Sequence, residues 1–226
     1  MELFLDTADL TAIRRLAALY PLDGVTTNPG LLAKAGGDPV AVLRGIREII
    51  GPDALLFAQV IPGDAGGMVR DAHAIVTLLG ENTVVKVPAV PEGLRAIRLL
   101  SRQGVRTCGT VVYAPMQGFM AAKAGAEYVA PYVNRIDDLG YDGVGVARQL
   151  HDMLAAHRVP AKVLAASFRN TQQVQALCLH GVAAVTCAPA VLESMTKNPA
   201  VDGAVRDFAD AFAGLVGEGK GMAELE

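Results

Sequence analysis

The sequence predicts a single (β/α)8 barrel with an additional C-terminal helix. Three observations predict it. Short apolar, β-branched runs alternate with helix-like segments about eight times along the chain. No compositional break interrupts the 226 residues, a length that suits one barrel. The last apolar run is as apolar as the first, so no edge strand is apparent. Residues 1–226 are therefore expected to form one domain, with 201–226 as the extra helix and its tail. Periodicity alone also allows an open, doubly wound sheet as the runner-up.

The first strand is Leu3 to Leu5, and Ala8 to Tyr20 carries helical spacing in Leu10, Ile13, Leu16, Ala17 and Tyr20. Thr7 or Asp9 can cap that helix, and Pro21 ends it. Gly24 to Thr27 is the second strand, followed by a loop at Asn28-Pro29-Gly30. A helix over Pro39 to Ile50 has Asp38 as its cap and Pro39 at its first position. Leu55 to Val60 is the third strand, Ala65 to Leu79 a helix, and Thr83 to Val87 the fourth strand.

The second half keeps the rhythm. A helix over Pro91 to Gln103 stops at Gly104, and Val105 to Val112 holds the fifth strand. Ala114 to Ala124 is helical, closed by Gly125, and Tyr128 to Ala130 is the sixth strand. Gly140 to Gly145 reads as loop and Val146 to His157 as helix. Lys162 to Ala166 is the seventh strand, Thr171 to Leu179 a helix, and Ala183 to Thr186 the eighth strand. A helical region starts near Ala190, another spans Val201 to Val216, and Gly217 to Glu226 is expected to be a loose tail.

One strand breaks its own pattern. Thr83-Val84-Val85-Lys86-Val87-Pro88 places a lysine inside an apolar, β-branched run. A buried ammonium is costly, so such a lysine loses its proton or finds a partner. A neutral amine is a nucleophile for carbonyl carbon. The bland alternative is a strand-end lysine reaching out to water.

Barrels gather functional groups at the C-terminal strand ends and the loops that follow. Those positions hold Asp6, Thr26, Asn28, Gln59, Lys86, Thr110, Tyr132, Asn134, Arg135, Ser167 and Arg169, whereas the opposite ends carry few polar groups. An amine, a carboxylate, hydroxyls, amides and two guanidiniums suit carbonyl chemistry on a hydroxylated, phosphorylated substrate. Taken singly, Asp6 serves equally as a helix cap, Asn28 as a turn residue, and Ser167 as a cap, although Asn170 and Thr171 are better placed. Arg135 alone suits a surface pair with Asp137 or Asp138. Single explanations leave unexplained why all of them choose the same strand ends.

Composition excludes other classes. Acidic and basic residues number 23 and 20, for a net charge of −3 and a pI of about 5.8, which favours neither nucleic acid nor an anionic membrane. No run approaches the ~18 apolar residues of a membrane span. The chain opens on a strand-like Glu2-Leu3-Phe4-Leu5, so no signal peptide is expected. Cys108, Cys178 and Cys187 are odd in number and lack CxxC spacing, which places the protein in a reducing, cytoplasmic compartment. Gly214 to Lys220 starts like a phosphate-binding loop, but Gly221 stands where Ser or Thr is needed, and the segment before it is helical. His73, His151, His157 and His180 lack metal-ligand spacing.

The motifs Met1-Glu2-Leu3-Phe4-Leu5-Asp6-Thr7, Gly24-Val25-Thr26-Thr27-Asn28-Pro29, Val85-Lys86-Val87-Pro88, Gly125 through Arg135 and Ala165-Ala166-Ser167-Phe168-Arg169 resemble the small transaldolase family, from the first residue to about Phe208. The resemblance is greatest to its aldolases. It implies that Lys86 is the Schiff-base residue of an enzyme that reversibly cleaves fructose 6-phosphate to dihydroxyacetone and glyceraldehyde 3-phosphate. It also implies no cofactor or metal, and a homo-oligomer of two pentameric rings in which the C-terminal helix packs on a neighbour. The family's transaldolases carry glutamate at the position of Gln59, phenylalanine at that of Tyr132, and asparagine at that of Cys108. The loop Asp138-Leu139-Gly140-Tyr141-Asp142-Gly143 is closer to short bacterial transaldolases. Transaldolase is accordingly the rival activity, and a sugar-phosphate-binding barrel without turnover is the non-enzymatic one. In the resemblance Asp6, Tyr132, Gln59 and Thr110 are catalytic with Lys86, and Thr26, Asn28, Asn134, Arg135, Ser167 and Arg169 bind substrate.

Overall fold

The structure, a computed structural model, describes residues 1–225. Residue 226, the end of the expected tail, lies outside the described residues. Along the chain run β1 (Glu2–Asp6), α1 (Leu10–Leu19), β2 (Gly24–Thr26), α2 (Pro29–Ala35), α3 (Pro39–Ile50), β3 (Leu55–Gln59), α4 (Ala65–Leu79), β4 (Thr83–Pro88), α5 (Pro91–Arg102) and β5 (Thr107–Val112). They are followed by α6 (Pro115–Lys123), β6 (Tyr128–Pro131), α7 (Val133–Asp137), α8 (Gly143–Ala156), β7 (Lys162–Ala165), α9 (Thr171–His180), β8 (Ala184–Cys187), α10 (Pro189–Ser194) and α11 (Pro199–Val216). The strands are parallel and pair in chain order, and β8 returns to β1 with Phe4 opposite Thr186. This closure settles the barrel against the open sheet.

Alternation along each strand builds two cores. Leu5, Val25, Leu56, Val85, Val129, Val163 and Val185 face the helices. Phe4, Phe57, Val84, Cys108, Tyr128, Ala130, Leu164 and Ala184 fill the barrel interior. The rings of Phe4, Phe57 and Tyr128 meet edge to face at centroid distances of 5.1, 5.2 and 6.4 Å, a favourable geometry that plugs the middle of the barrel. The N-terminal end is not as poor in polar groups as expected. Glu2 accepts from Lys162 at 2.6 Å and from the Tyr128 hydroxyl at 3.0 Å, and Arg106 forks onto Glu127 at 2.7 and 2.8 Å. These groups satisfy one another and seal that end.

Local chemistry explains the departures from expectation. Asn28-Pro29-Gly30 is the start of α2 and not a loop, because Asn28 caps it by accepting from the Leu31 N–H at 3.0 Å and Pro29 takes the first position. The same arrangement starts α3 at Asp38-Pro39, as expected. α7 was not expected; five residues are too few to show a period, and burial of Val133 and Ile136 supports it. α8 starts at Gly143, inside the expected loop. Asp142 caps it through the Gly145 N–H at 2.8 Å, and a side chain on Gly143 would strike the Val133 carbonyl.

β5 carries a bulge. Gly109 pairs with Val129, but Val112, not Val111, pairs with Pro131, and Val111 takes φ 59°.

The chain divides into two compact units, Met1–Leu192 and Glu193–Glu226. The first is the barrel. The second holds α11, capped by Asn198 through the Ala200 N–H at 3.0 Å, and a short 3-10 turn at Met222–Glu224. α11 runs through Gly214 to Val216, so the phosphate-loop lookalike straddles the end of a helix and follows no strand. Val201, Val205, Phe208 and Leu215 lie along α11 exposed.

Candidate active site

Strand alternation decides which polar residues enter the barrel. Asp6, Gln59, Lys86 and Thr110 each lie two residues beyond an interior-facing Phe4, Phe57, Val84 and Cys108, so all four share the interior face at the C-terminal end. Register brings them side by side. Asp6 is level with Thr26, Gln59 with Lys86, and Lys86 with Cys108. The aromatic plug lies directly beneath.

The lysine is buried, with 5% of its surface exposed, and its Nζ donates to the Thr27 carbonyl at 2.8 Å. Burial was expected; the carbonyl partner was not, because it comes from a strand two places away. Asp6 is not a helix cap, since Asp9 caps α1 by accepting from the N–H groups of Thr11 and Ala12. Its carboxylate instead accepts from the Thr26 hydroxyl at 2.7 Å. Burial pushes the Asp6 pKa up, while Lys86, Thr26 and Arg135 pull against that rise. Cys108, next to the lysine, is fully buried, and burial pushes its thiol up to about 12 despite the pull of Lys86. It is a neutral neighbour of the amine.

Tyr132 is held on three sides. Its hydroxyl meets Thr110 Oγ1 at 2.9 Å, the Tyr113 ring packs against it edge to face at 5.9 Å, and the Arg135 guanidinium lies 5.0 Å from its ring centroid. Arg135 therefore does not go to Asp137 or Asp138. Ser167 stands at φ 62°, a conformation unusual for a residue with a side chain. Its carbonyl accepts from the Asn134 N–H at 2.7 Å, and Asn170, not Ser167, caps α9.

Asp6, Asn28, Lys86, Tyr132, Arg135 and Ser167 line one cleft of about 250 Å³ together with Gly30, Leu31 and Ala166. Gln59 stands beside Lys86 outside this lining, and its Oε1 is buried without a protein partner. Two expected residues turn elsewhere. Asn134 donates to Asp138 Oδ2 at 3.0 Å, and the exposed Arg169 lies 3.7 Å from Asp138 Oδ1. Asp138 thus draws both away from the cleft.

Two contributors escaped the sequence reading. Thr186, on the interior face of β8, shares a 2.7 Å hydrogen bond with Thr26, making a Thr186–Thr26–Asp6 chain of hydroxyl and carboxylate. The sign of it was a lone hydroxyl near the end of an apolar strand. Tyr113 had no such sign, because its packing on Tyr132 depends on the β5 bulge.

A buried amine facing a small polar cleft, with a carboxylate and a phenol beside it and a guanidinium at the rim, can form and discharge a carbinolamine. The sequence matches the family described as Transaldolase/Fructose-6-phosphate aldolase over residues 3–218. Among solved structures the fold is similar to that described as "Native KDPGal structure", with a TM-score of 0.57 at 15% identity, covering 83% of this chain and 82% of that one. It is also similar to a cube-shaped, highly porous protein cage designed by fusing symmetric oligomeric domains, with a TM-score of 0.60 at 13% identity, covering 94% and 78%. At these identities the likeness is one of fold.

Proposed function

The chain belongs to the transaldolase/fructose-6-phosphate aldolase family, and within it we propose that the protein is a class I aldolase that reversibly cleaves fructose 6-phosphate to dihydroxyacetone and glyceraldehyde 3-phosphate. Neutral Lys86 attacks the C2 ketone, and loss of water leaves an iminium ion. Asp6, steadied by the Thr186–Thr26 hydroxyls, takes the proton of the C4 hydroxyl. The C3–C4 bond breaks, its electron pair passes into the iminium to give an enamine, and glyceraldehyde 3-phosphate departs. Protonation of the enamine at C3 and attack of water on the imine then release dihydroxyacetone and free the lysine. Tyr132 serves these proton transfers, with a water held by Gln59 and Thr110. Asn28 and Ser167 bind donor hydroxyls. Arg135 holds the phosphate by charge-assisted hydrogen bonds, and Arg169 joins it by leaving Asp138, an exposed ion pair of small energetic weight.

The observation that carries this reading is the Tyr132 hydroxyl on Thr110 in the cleft that Lys86 lines. A phenol there gives the enamine a proton and the imine a water; an apolar ring would give neither. The transaldolase reading draws on the Asp138 to Gly143 loop. Product analysis with fructose 6-phosphate as the only substrate separates the two. Sustained release of both products supports the aldolase. Release of glyceraldehyde 3-phosphate that stops near one equivalent per site, and resumes with erythrose 4-phosphate, makes the protein a transaldolase. Tight sugar-phosphate binding without a borohydride-trapped adduct would make it a binding barrel.

We propose further that the protein works in the cytoplasm as a homo-oligomer. Three free cysteines suit a reducing compartment. The apolar stripe of Val201, Val205, Phe208 and Leu215 on α11 is 52–82% exposed, the kind of surface that a neighbouring copy covers.

A further inference from the structure

β5 contains the most strained backbone beside the cleft. Val111 is β-branched yet adopts φ 59°, a region that costs such residues more than any others. The bulge adds one residue to β5, so Val112 turns outward into the helix-facing core, while Thr110 keeps its hydroxyl inside. A bulge also removes ladder hydrogen bonds, and something must replace them.

The replacement is one side chain. Gln117, in the first turn of α6, donates from Nε2 to the Ala89 carbonyl at the end of β4 and to the Val111 carbonyl, both at 3.0 Å. Its Oε1 accepts from the Tyr113 N–H at 2.9 Å. The opposite orientation of the amide would set an oxygen against two carbonyls, so this is the orientation that satisfies the network. Helix capping explains only part of it. α6 has no side-chain cap from Ala114, and a glutamine three residues into a helix commonly reaches back to do that work. Both N–H donors, however, go to the strands and not to the helix. Gln117 ties the residue after β4, the strained residue of β5 and the backbone of Tyr113, whose ring packs on Tyr132.

We propose that Gln117 is a positioning residue for the reaction: its amide holds β5 in the bulged form that sets the Thr110 hydroxyl and the Tyr113 ring against Tyr132. The claim rests on the proton-transfer role given to Tyr132 above. Gln117 touches no substrate and acts through these two residues. A glutamate at 117 keeps the acceptor for Tyr113 but turns an oxygen towards two carbonyls. A methionine keeps the length and loses all three hydrogen bonds.

The test is a double-mutant cycle on the full-length protein with fructose 6-phosphate. Gln117→Met is expected to lower kcat for dihydroxyacetone release by about 10-fold, with KM changed less than about 2-fold and the borohydride adduct on Lys86 retained. In a Tyr132→Phe background the same substitution should change kcat by less than ~2-fold, because the group it positions is gone. A merely structural role would give the same loss in both backgrounds, and that result, or an unchanged kcat in the single variant, overturns the proposal. Gln117→Glu, which keeps the link to Tyr113, repeats the cycle should the methionine variant fail to fold. If Tyr132→Phe leaves kcat unchanged, or the protein turns over no sugar phosphate, the role given to Tyr132 has failed and a crystal structure of the Gln117 variant decides. Val111 at negative φ with the Thr110–Tyr132 hydrogen bond broken upholds the positioning role; both features retained refute it.

Discussion

Lys86 Nζ reaches from β4 across β3 to donate to the main-chain carbonyl of Thr27 at 2.8 Å. The acceptor is fixed, because the N–H and hydroxyl of Thr27 both donate to the Phe57 carbonyl, at 2.9 and 2.8 Å. The amine thus has a defined resting position on a rigid part of the barrel. A neutral amine that donates one N–H there keeps its lone pair for a carbonyl carbon.

Lys86→Met should fold and lose turnover to background, along with the borohydride adduct. Methionine preserves the length of the stem within a packed strand. The Thr27 carbonyl loses its side-chain donor, at a cost of about 1–3 kcal/mol if water does not replace it. Mass spectrometry of the trapped protein and a thermal melt read both effects. Retained turnover would end the Schiff-base mechanism.

Tyr132→Phe leaves the ring contacts with Tyr113 and Arg135 and deletes the hydroxyl that meets Thr110. Release of dihydroxyacetone is expected to fall by about 100-fold, the scale of a lost general acid or base. Transfer to an added aldehyde should fall less. Parallel measurement of both rates checks this, and equal losses would deny Tyr132 its separate role.

Asp6→Asn should abolish turnover and stabilise the fold near neutral pH. The folded state raises the Asp6 pKa above its ordinary 3.8, chiefly by burial. The folded protein therefore holds that proton more tightly than the unfolded chain does, and this contribution fades as pH rises from about 3.8 through the raised value. An amide has no charge to bury. The variant's advantage in melting temperature should be largest above the raised value and shrink as pH falls through it towards 3.8. A constant difference across that range would contradict the assignment.

Gly93→Ala should destabilise the barrel by about 1–3 kcal/mol, the cost of overpacking. Its Cβ would strike the Pro88 carbonyl oxygen, so α5 must move away from β4, two residues after Lys86. Gly203→Ala on α11, where a Cβ meets nothing within 4 Å, should instead stabilise by about 0.5–1 kcal/mol. Denaturant midpoints of the two variants test the contrast.

Removal of residues 201–226, or Phe208→Lys alone, should reduce the molar mass in solution. Phe208 is 75% exposed on α11, and a cation there opposes burial in an interface. Light scattering of the intact protein is expected to give a large homo-oligomer; a monomer would refute the assembly.

The sequence by itself determined the barrel and the place of its lysine. Alternation of apolar strands with helical segments is local, and each strand's two-residue period carries Asp6, Gln59, Lys86 and Thr110 to one interior face wherever its neighbours lie. Helix starts such as Asp38-Pro39 are equally local, and the same rule held for Asn28-Pro29, where a loop had been expected. Tertiary structure decided where the long polar side chains went. Asn134 and Arg169 follow the correct strands, yet both turn to Asp138, because that carboxylate lies within reach of both side chains. Asp6 was free to cap α1 until Thr26, twenty residues on, brought a hydroxyl to its carboxylate, and Asp9 took the cap. The β5 bulge depends on register with β6, and Gln117 on three backbone groups from separate elements. Such contacts join residues with no periodic relation in the chain, so only the closed barrel could bring them together.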